Sequence, residues 1–99
     1  MPTYIMFFGF TQQGVQKIKD SPARVEDARN TCQSAGAKVK EFYAIMGMGQ
    51  YDTVFILEAP DDETVGEAAL AISSKGYVHT NSLRAFTEDE YKKMIASMP

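Results

Sequence analysis

The chain has 99 residues, 44% of them hydrophobic and 23% charged, with a formal net charge of −3. That length holds one domain with its own core and is too short for two, so residues 1–99 are read as a single domain of ordinary soluble composition, not a disordered chain. Ten basic side chains, scattered among thirteen acidic ones, form no footprint for nucleic acid or for an anionic membrane.

One cysteine, Cys32, and one histidine, His79, allow no internal disulfide and no metal-ligand spacing, and no cofactor motif is present. The opening run Met1-Pro2-Thr3-Tyr4-Ile5-Met6-Phe7-Phe8 carries no charged leader. Its apolar stretch is too short and too aromatic for a signal peptide or a membrane span, so a cytoplasmic address is expected.

In chain order, Tyr4 to Phe10 is apolar at nearly every position and predicts a strand with both faces covered. Thr11 caps a short helix carrying Val15 and Ile18. Ser21 and Pro22 then suit the N-cap and first position of a second helix, in which Val25, Ala28, Cys32 and Ala35 recur at helical spacing up to Gly36. A second strand is expected over 37–46, with its alternation slipping at Glu41-Phe42, the mark of a bulge or strong twist. Gly47 and Gly49 permit positive φ in a tight connection, so Tyr51 to Glu58 returns antiparallel beside it as a hairpin. After Pro60, Asp61-Asp62-Glu63 begins a helix with the negative charge that a helix N-terminus favours. Val65, Ala68, Ala69 and Ile72 form its buried side, and Lys75 and Gly76 close it. Tyr77 to Ala85 is a more polar fourth strand, suited to a sheet edge. Thr87 and Glu90 make a capping box for a last short helix bearing Tyr91, Met94, Ile95 and Met98, with Phe86 placed to staple Tyr91.

The order β-α-β-β-α-β-α, with right-handed crossovers, defines an α+β fold of the ferredoxin-like split βαβ kind. It has a four-stranded antiparallel sheet, two helices on one face and a short C-terminal helix. Two helices cover one face only, yet the first and third strands are apolar on both. The economical solution is a homodimer, or higher oligomer, that stacks two sheets into an α/β barrel with a cavity between them.

Several stretches together carry a resemblance: Tyr4-Ile5, Thr11 with Gly14, Glu41-Phe42-Tyr43, Gly49-Gln50-Tyr51-Asp52, Glu58-Ala59-Pro60-Asp61-Asp62 and Leu83-Arg84-Ala85-Phe86. Over nearly its full length the chain resembles the GYD-domain family, small bacterial proteins of the dimeric α/β-barrel group named for a Gly/Tyr/Asp motif. The extra Gly47-Met48 before the motif is a departure. The Gly-x-Tyr-Asp entrance is also similar to the effector-sensing domain of leucine-responsive-type regulators, without their helix-turn-helix. That likeness implies a stand-alone sensing or oligomerisation module. Other members of the barrel group are cofactor-free monooxygenases and isomerases, so the fold alone allows an enzyme.

The candidate ligand-binding residues are Gly49, Tyr51, Asp52, Tyr43 and His79; no catalytic set is spelled out. Asp52 could bond a ligand's amine or hydroxyl, or abstract a proton, though its commoner role after a glycine turn is to bond backbone N–H groups. Tyr43 and Tyr51 offer hydroxyls but suit a core or an interface. His79, the one imidazole, is the candidate base, yet it lies among Thr80, Asn81 and Ser82, where plain exposure is the simpler reading. Cys32 belongs to an apolar stripe and reads as a small hydrophobe. The glycines of Gly47 and Gly49 do not open a dinucleotide fingerprint, because Asp52 stands at the third glycine and a strand follows. Met46, Met48, Met94 and Met98 suit an adaptable surface or gap-filling. The leading expectation is an oligomeric module binding a small molecule between sheets, with no nucleic-acid or membrane partner. The alternatives are a cofactor-independent monooxygenase or isomerase using Asp52 or His79, and a structural partner-binding domain.

Overall fold

A computed structural model describes residues 1–46 and 49–99; the connection through Gly47 and Met48, and the expectations placed on it, lie outside the described residues. The elements are β1 (Thr3–Phe10), α1 (Gln12–Gln16), a 3-10 turn (Ile18–Asp20), α2 (Ser21–Ala35), β2 (Lys38–Ala44), β3 (Thr53–Glu58), α3 (Asp62–Ser73), β4 (Val78–Ala85) and α4 (Glu88–Ala96). The four strands form one antiparallel sheet in the order β2-β3-β1-β4. This is the ferredoxin-like order, with the polar β4 on an edge as its composition predicts.

On the helix-covered face Tyr4, Met6 and Phe8 of β1 stand beside Leu57, Phe55 and Thr53 of β3. These pack with Cys32 of α2 and with Val65, Ala68 and Ile72 of α3 into the main core. Burying a side chain the size of Phe55 or Leu57 contributes about 1.5–3 kcal/mol each, and the Phe8 and Phe55 rings meet edge-on with centroids 4.9 Å apart. The stripe on α2 packs as its spacing requires, and the helix ends on Gly36 at φ 105°.

Two local features differ from the sequence reading. The bulge in β2 lies between Val39 and Glu41, at Lys40, one residue before the expected slip. The extra residue explains how Val39 and Phe42, three apart and hence of opposite parity, both face the helices. At the start of α2, Ser21 is the first helical residue and Asp20 occupies the cap without a side-chain bond, because the 3-10 turn hands its backbone bonds directly into the helix. The caps of α1, α3 and α4 are side-chain caps. Thr11 Oγ1 accepts from Gly14 N at 3.1 Å, Asp61 from Thr64 N at 2.9 Å, and Thr87 and Glu90 complete the reciprocal capping box. The bonds from Thr64 hold the Asp61 carboxyl below its ordinary range.

No residue of α4 is buried. Arg84 ties it to the sheet, donating to Thr3 O (3.1 Å), to Ala85 O and to Glu90 Oε2 (3.2 Å). The Thr87 N–H and Arg84 together lower the Glu90 pKa. The Arg84 guanidinium also lies 4.4 Å from the centre of the Phe86 ring.

Candidate functional site

The Gly49–Asp52 segment closes onto β1 rather than continuing β3. Asp52 N donates to Phe8 O at 2.8 Å, and the Asp52 carboxylate accepts from Phe10 N at 2.9 Å, standing where a ladder carbonyl would otherwise be. Asp52 O accepts from Ile45 N at 2.9 Å, which prolongs the hairpin by one bond. With Asp52 serving as a side-chain acceptor, the backbone leaves the regular ladder and β3 begins only at Thr53, two residues later than its apolar run suggests. Gly49 takes φ 69°, a left-handed value that favours glycine.

This departure turns Tyr51 onto the sheet face that the helices leave open. Its ring centre lies 5.3 Å from that of Phe7 and 5.8 Å from that of His79. Beneath them is Gly9, which sequence reasoning passed over. A Cβ there would meet Gln50 O at 2.2 Å and the His79 ring at 2.3 Å, so the turn and the imidazole can close over β1 only because position 9 has no side chain. A lone glycine in an apolar strand is the signal that could have found it. Tyr43 is on the same face, opposite Val54, which is in turn opposite Phe7.

The structure thus gathers Tyr51 and His79 around Phe7, and places Tyr43 one strand beyond Val54. Asp52 belongs to the scaffold of the turn, with a carboxylate oxygen engaged by Phe10 N. His79 is exposed, paired in register with Gly9. Cys32 is fully buried, and burial pushes its thiol up to about 11, which is not the environment of a nucleophile. On the other face Tyr4 OH donates to Asp62 Oδ1 at 2.5 Å, a bond that raises the phenol's pKa and ties β1 to the start of α3. Among the described residues no group of three His, Cys, Asp or Glu could hold a metal ion, and no helix is long and apolar enough to cross a membrane.

Around this cluster the open face continues with Ile5, Ile56 and Leu83, which neighbour one another in the register. It is an apolar surface crossed by two tyrosines and one imidazole, suited to excluding water against another surface.

A ferredoxin-like sheet with a Gly-x-Tyr-Asp turn folded over its first strand defines the class. The chain belongs to the GYD domain family, which matches it over residues 4–95. Among curated proteins, it is 34% identical over 86 residues to the glutamine synthetase and cystathionine beta-lyase binding protein of Thermus thermophilus. That alignment covers 86% of this chain and 88% of the relative. Among solved structures, it superposes on part of a homoserine dehydrogenase from Thiobacillus denitrificans with a TM-score of 0.58 and 13% identity. This covers 83% of the chain but 16% of that protein, and it is a likeness of fold alone.

Proposed function

We propose that this chain is a homo-oligomeric binding module whose open sheet face pairs with that of a second copy, and whose assembled surface docks onto metabolic enzymes. The observation that carries the reading is the unsealed apolar face: Ile5, Phe7, Ile56, Tyr43 and Leu83 are left partly or largely exposed in β1 to β4. A contiguous patch of this kind on a small protein marks a contact surface. Enzyme docking is supported by the Thermus relative, named for binding glutamine synthetase and cystathionine beta-lyase. The exposed Tyr91, Met94 and Ile95 of α4, with Met98 just beyond its end, offer a second, methionine-containing surface of the adaptable sort.

The test has two parts. Light scattering behind a sizing column is expected to give at least a dimer at micromolar concentration; a monomer there refutes sheet pairing. Sedimentation of the chain with purified glutamine synthetase, and separately with cystathionine beta-lyase, is expected to show co-migration with at least one. Absence of co-migration with both refutes this docking role.

A second reading keeps a small molecule between the paired sheets, favoured by the Tyr51–His79–Phe7 cluster. In that reading Tyr43, Tyr51 and His79 line the cavity and Gly49 and Asp52 shape its entrance. A thermal-shift screen over amino acids, aromatics and quinones tests it, and no stabilisation by any of them counts against it.

A further inference from the structure

The helix-covered side of the sheet is not uniformly filled. At the level of Cys32 and Leu57 the layer is closed, but toward the start of α2 a cavity of about 90 Å³ remains between the helices and the sheet. Phe8, Phe42, Phe55, Ile72, Val25 and Ala28 line it. Its origin is the small-residue stripe. Ala28 stands where a larger aliphatic residue would reach the aromatic floor, and both Val25 and Ala28 are only half-buried although they pack on the core. Its lining is largely apolar and suits an apolar guest; an enclosed apolar void of ~150 Å³ takes benzene.

The mouth is of different chemistry. Asp27 on α2 and Lys75 just after α3 form an exposed ion pair across it. Arg24 lies beside them, donating to Lys17 O at 2.8 Å and Gly14 O at 3.2 Å, with its guanidinium 4.7 Å from the centre of the Tyr77 ring. Those two bonds use two of the five N–H donors an arginine has, and the rim holds two cations against one carboxylate. An exposed ion pair is weak enough to exchange partners, so an incoming carboxylate can replace that of Asp27 at Lys75.

We infer that this cavity is a binding site for a short aliphatic monocarboxylate, its tail among the phenylalanines and its carboxylate at Lys75 and Arg24. The volume limits the tail to about four carbons, since the void is smaller than one that holds a benzene ring. The site is separate from the open sheet face, and its occupancy does not depend on oligomeric state or on any enzyme partner.

Amide NMR titration of the full-length chain with isovalerate, isovaleramide and acetate tests this. Isovalerate is expected to bind in the millimolar range and to shift amides of α2, of the end of α3 and around Phe55. Isovaleramide, equal in shape but uncharged, should bind about tenfold more weakly, and acetate, without a tail, should leave these amides unmoved at about 10 mM. Lys75→Gln is expected to remove the advantage of the acid over the amide. Ala28→Leu, which fills the void, should abolish binding of both while the melting temperature holds or rises; Ala28→Val serves if leucine overfills the site. The inference is overturned if isovalerate moves none of these amides, if its shifts fall on the open sheet face instead, if the amide binds as well as the acid, or if a well-folded, filled variant binds undiminished.

Discussion

On the helix-covered face Met6, Leu57 and Phe55 are 0%, 0% and 1% exposed, while on the opposite face Tyr43 is 54% exposed and Leu83 49%. Tyr43 and Leu83 lie on the edge strands β2 and β4, but the central strands are themselves apolar on both faces. β1 and β3 alternate between two apolar sets, and nothing in either set marks it as the inner one. The crossover helices decide, since both must return over the same side of the sheet, and the parity beneath them becomes core. The other parity is as apolar as a core and, among the described residues, no helix covers it, which is why its role is assigned to contact with another surface. Val54 already shows the tendency: it is 6% exposed on the open face, where its register neighbours are Phe7 and Tyr43.

The strongest way to break this contrast is to place one charge on each side. Phe55→Asp puts a carboxylate in the closed layer, where an unpaired charge costs more than about 4 kcal/mol, a large part of the 5–15 kcal/mol typical of a small domain. It is expected to lack a cooperative thermal transition by circular dichroism. Phe7→Asp, in a neighbouring strand but on the open side, is expected to keep the fold and lose association, giving a monomer by light scattering. If both variants melt alike, the two faces are not the different environments described; if Phe7→Asp still dimerises, the open face is not the contact.

A smaller effect is expected at the seam between the two regions, where the turn crosses β1. Gly9→Ala brings a methyl group against Gln50 O and the His79 ring, backbone on one side and an imidazole on the other. Overpacking of this order costs about 1–3 kcal/mol. For a domain of this size each kcal/mol lowers the melting temperature by about 4–8 °C. An unchanged melting temperature would mean that the turn stands away from β1.

The element order, the hairpin, the buried positions of α3 and the capping box of α4 were all legible in the sequence, because each is written in local periodicity or in a cap at fixed spacing. The position of the bulge was not. Lys40 and Glu41 could each be skipped without exposing Val39 or Phe42, and only the pairing with β3 selects Lys40. Nor was the setting of Asp52. Its partner, Phe10 N, is 42 residues away in sequence, and a Gly-Asp turn signal speaks only for neighbours. The cavity under α2 was similarly hidden: a stripe of alanine and cysteine reads as close packing, and whether the sheet rises to meet it is set by strands elsewhere in the chain.

Asp52 carries the finest test, since the bond that shapes the turn and a role in binding ask different things of one carboxylate. Asp52→Asn keeps an oxygen able to accept from Phe10 N and exchanges a charge-assisted bond for a neutral one. The expected loss is about 1 kcal/mol at most, with the oligomer intact. Asp52→Ala leaves that N–H without its acceptor and should cost more, about 1–3 kcal/mol. The order Asn before Ala, read from chemical denaturation, is what a structural carboxylate requires, and equal losses would contradict it. If the Asn variant folds and assembles normally, it should also retain whatever association with glutamine synthetase or cystathionine beta-lyase the native chain shows. Loss of that association from an otherwise intact Asn variant would give the charge itself a part in recognition. Asp52 would then move from the scaffold of the turn to the binding surface beside Tyr51 and His79.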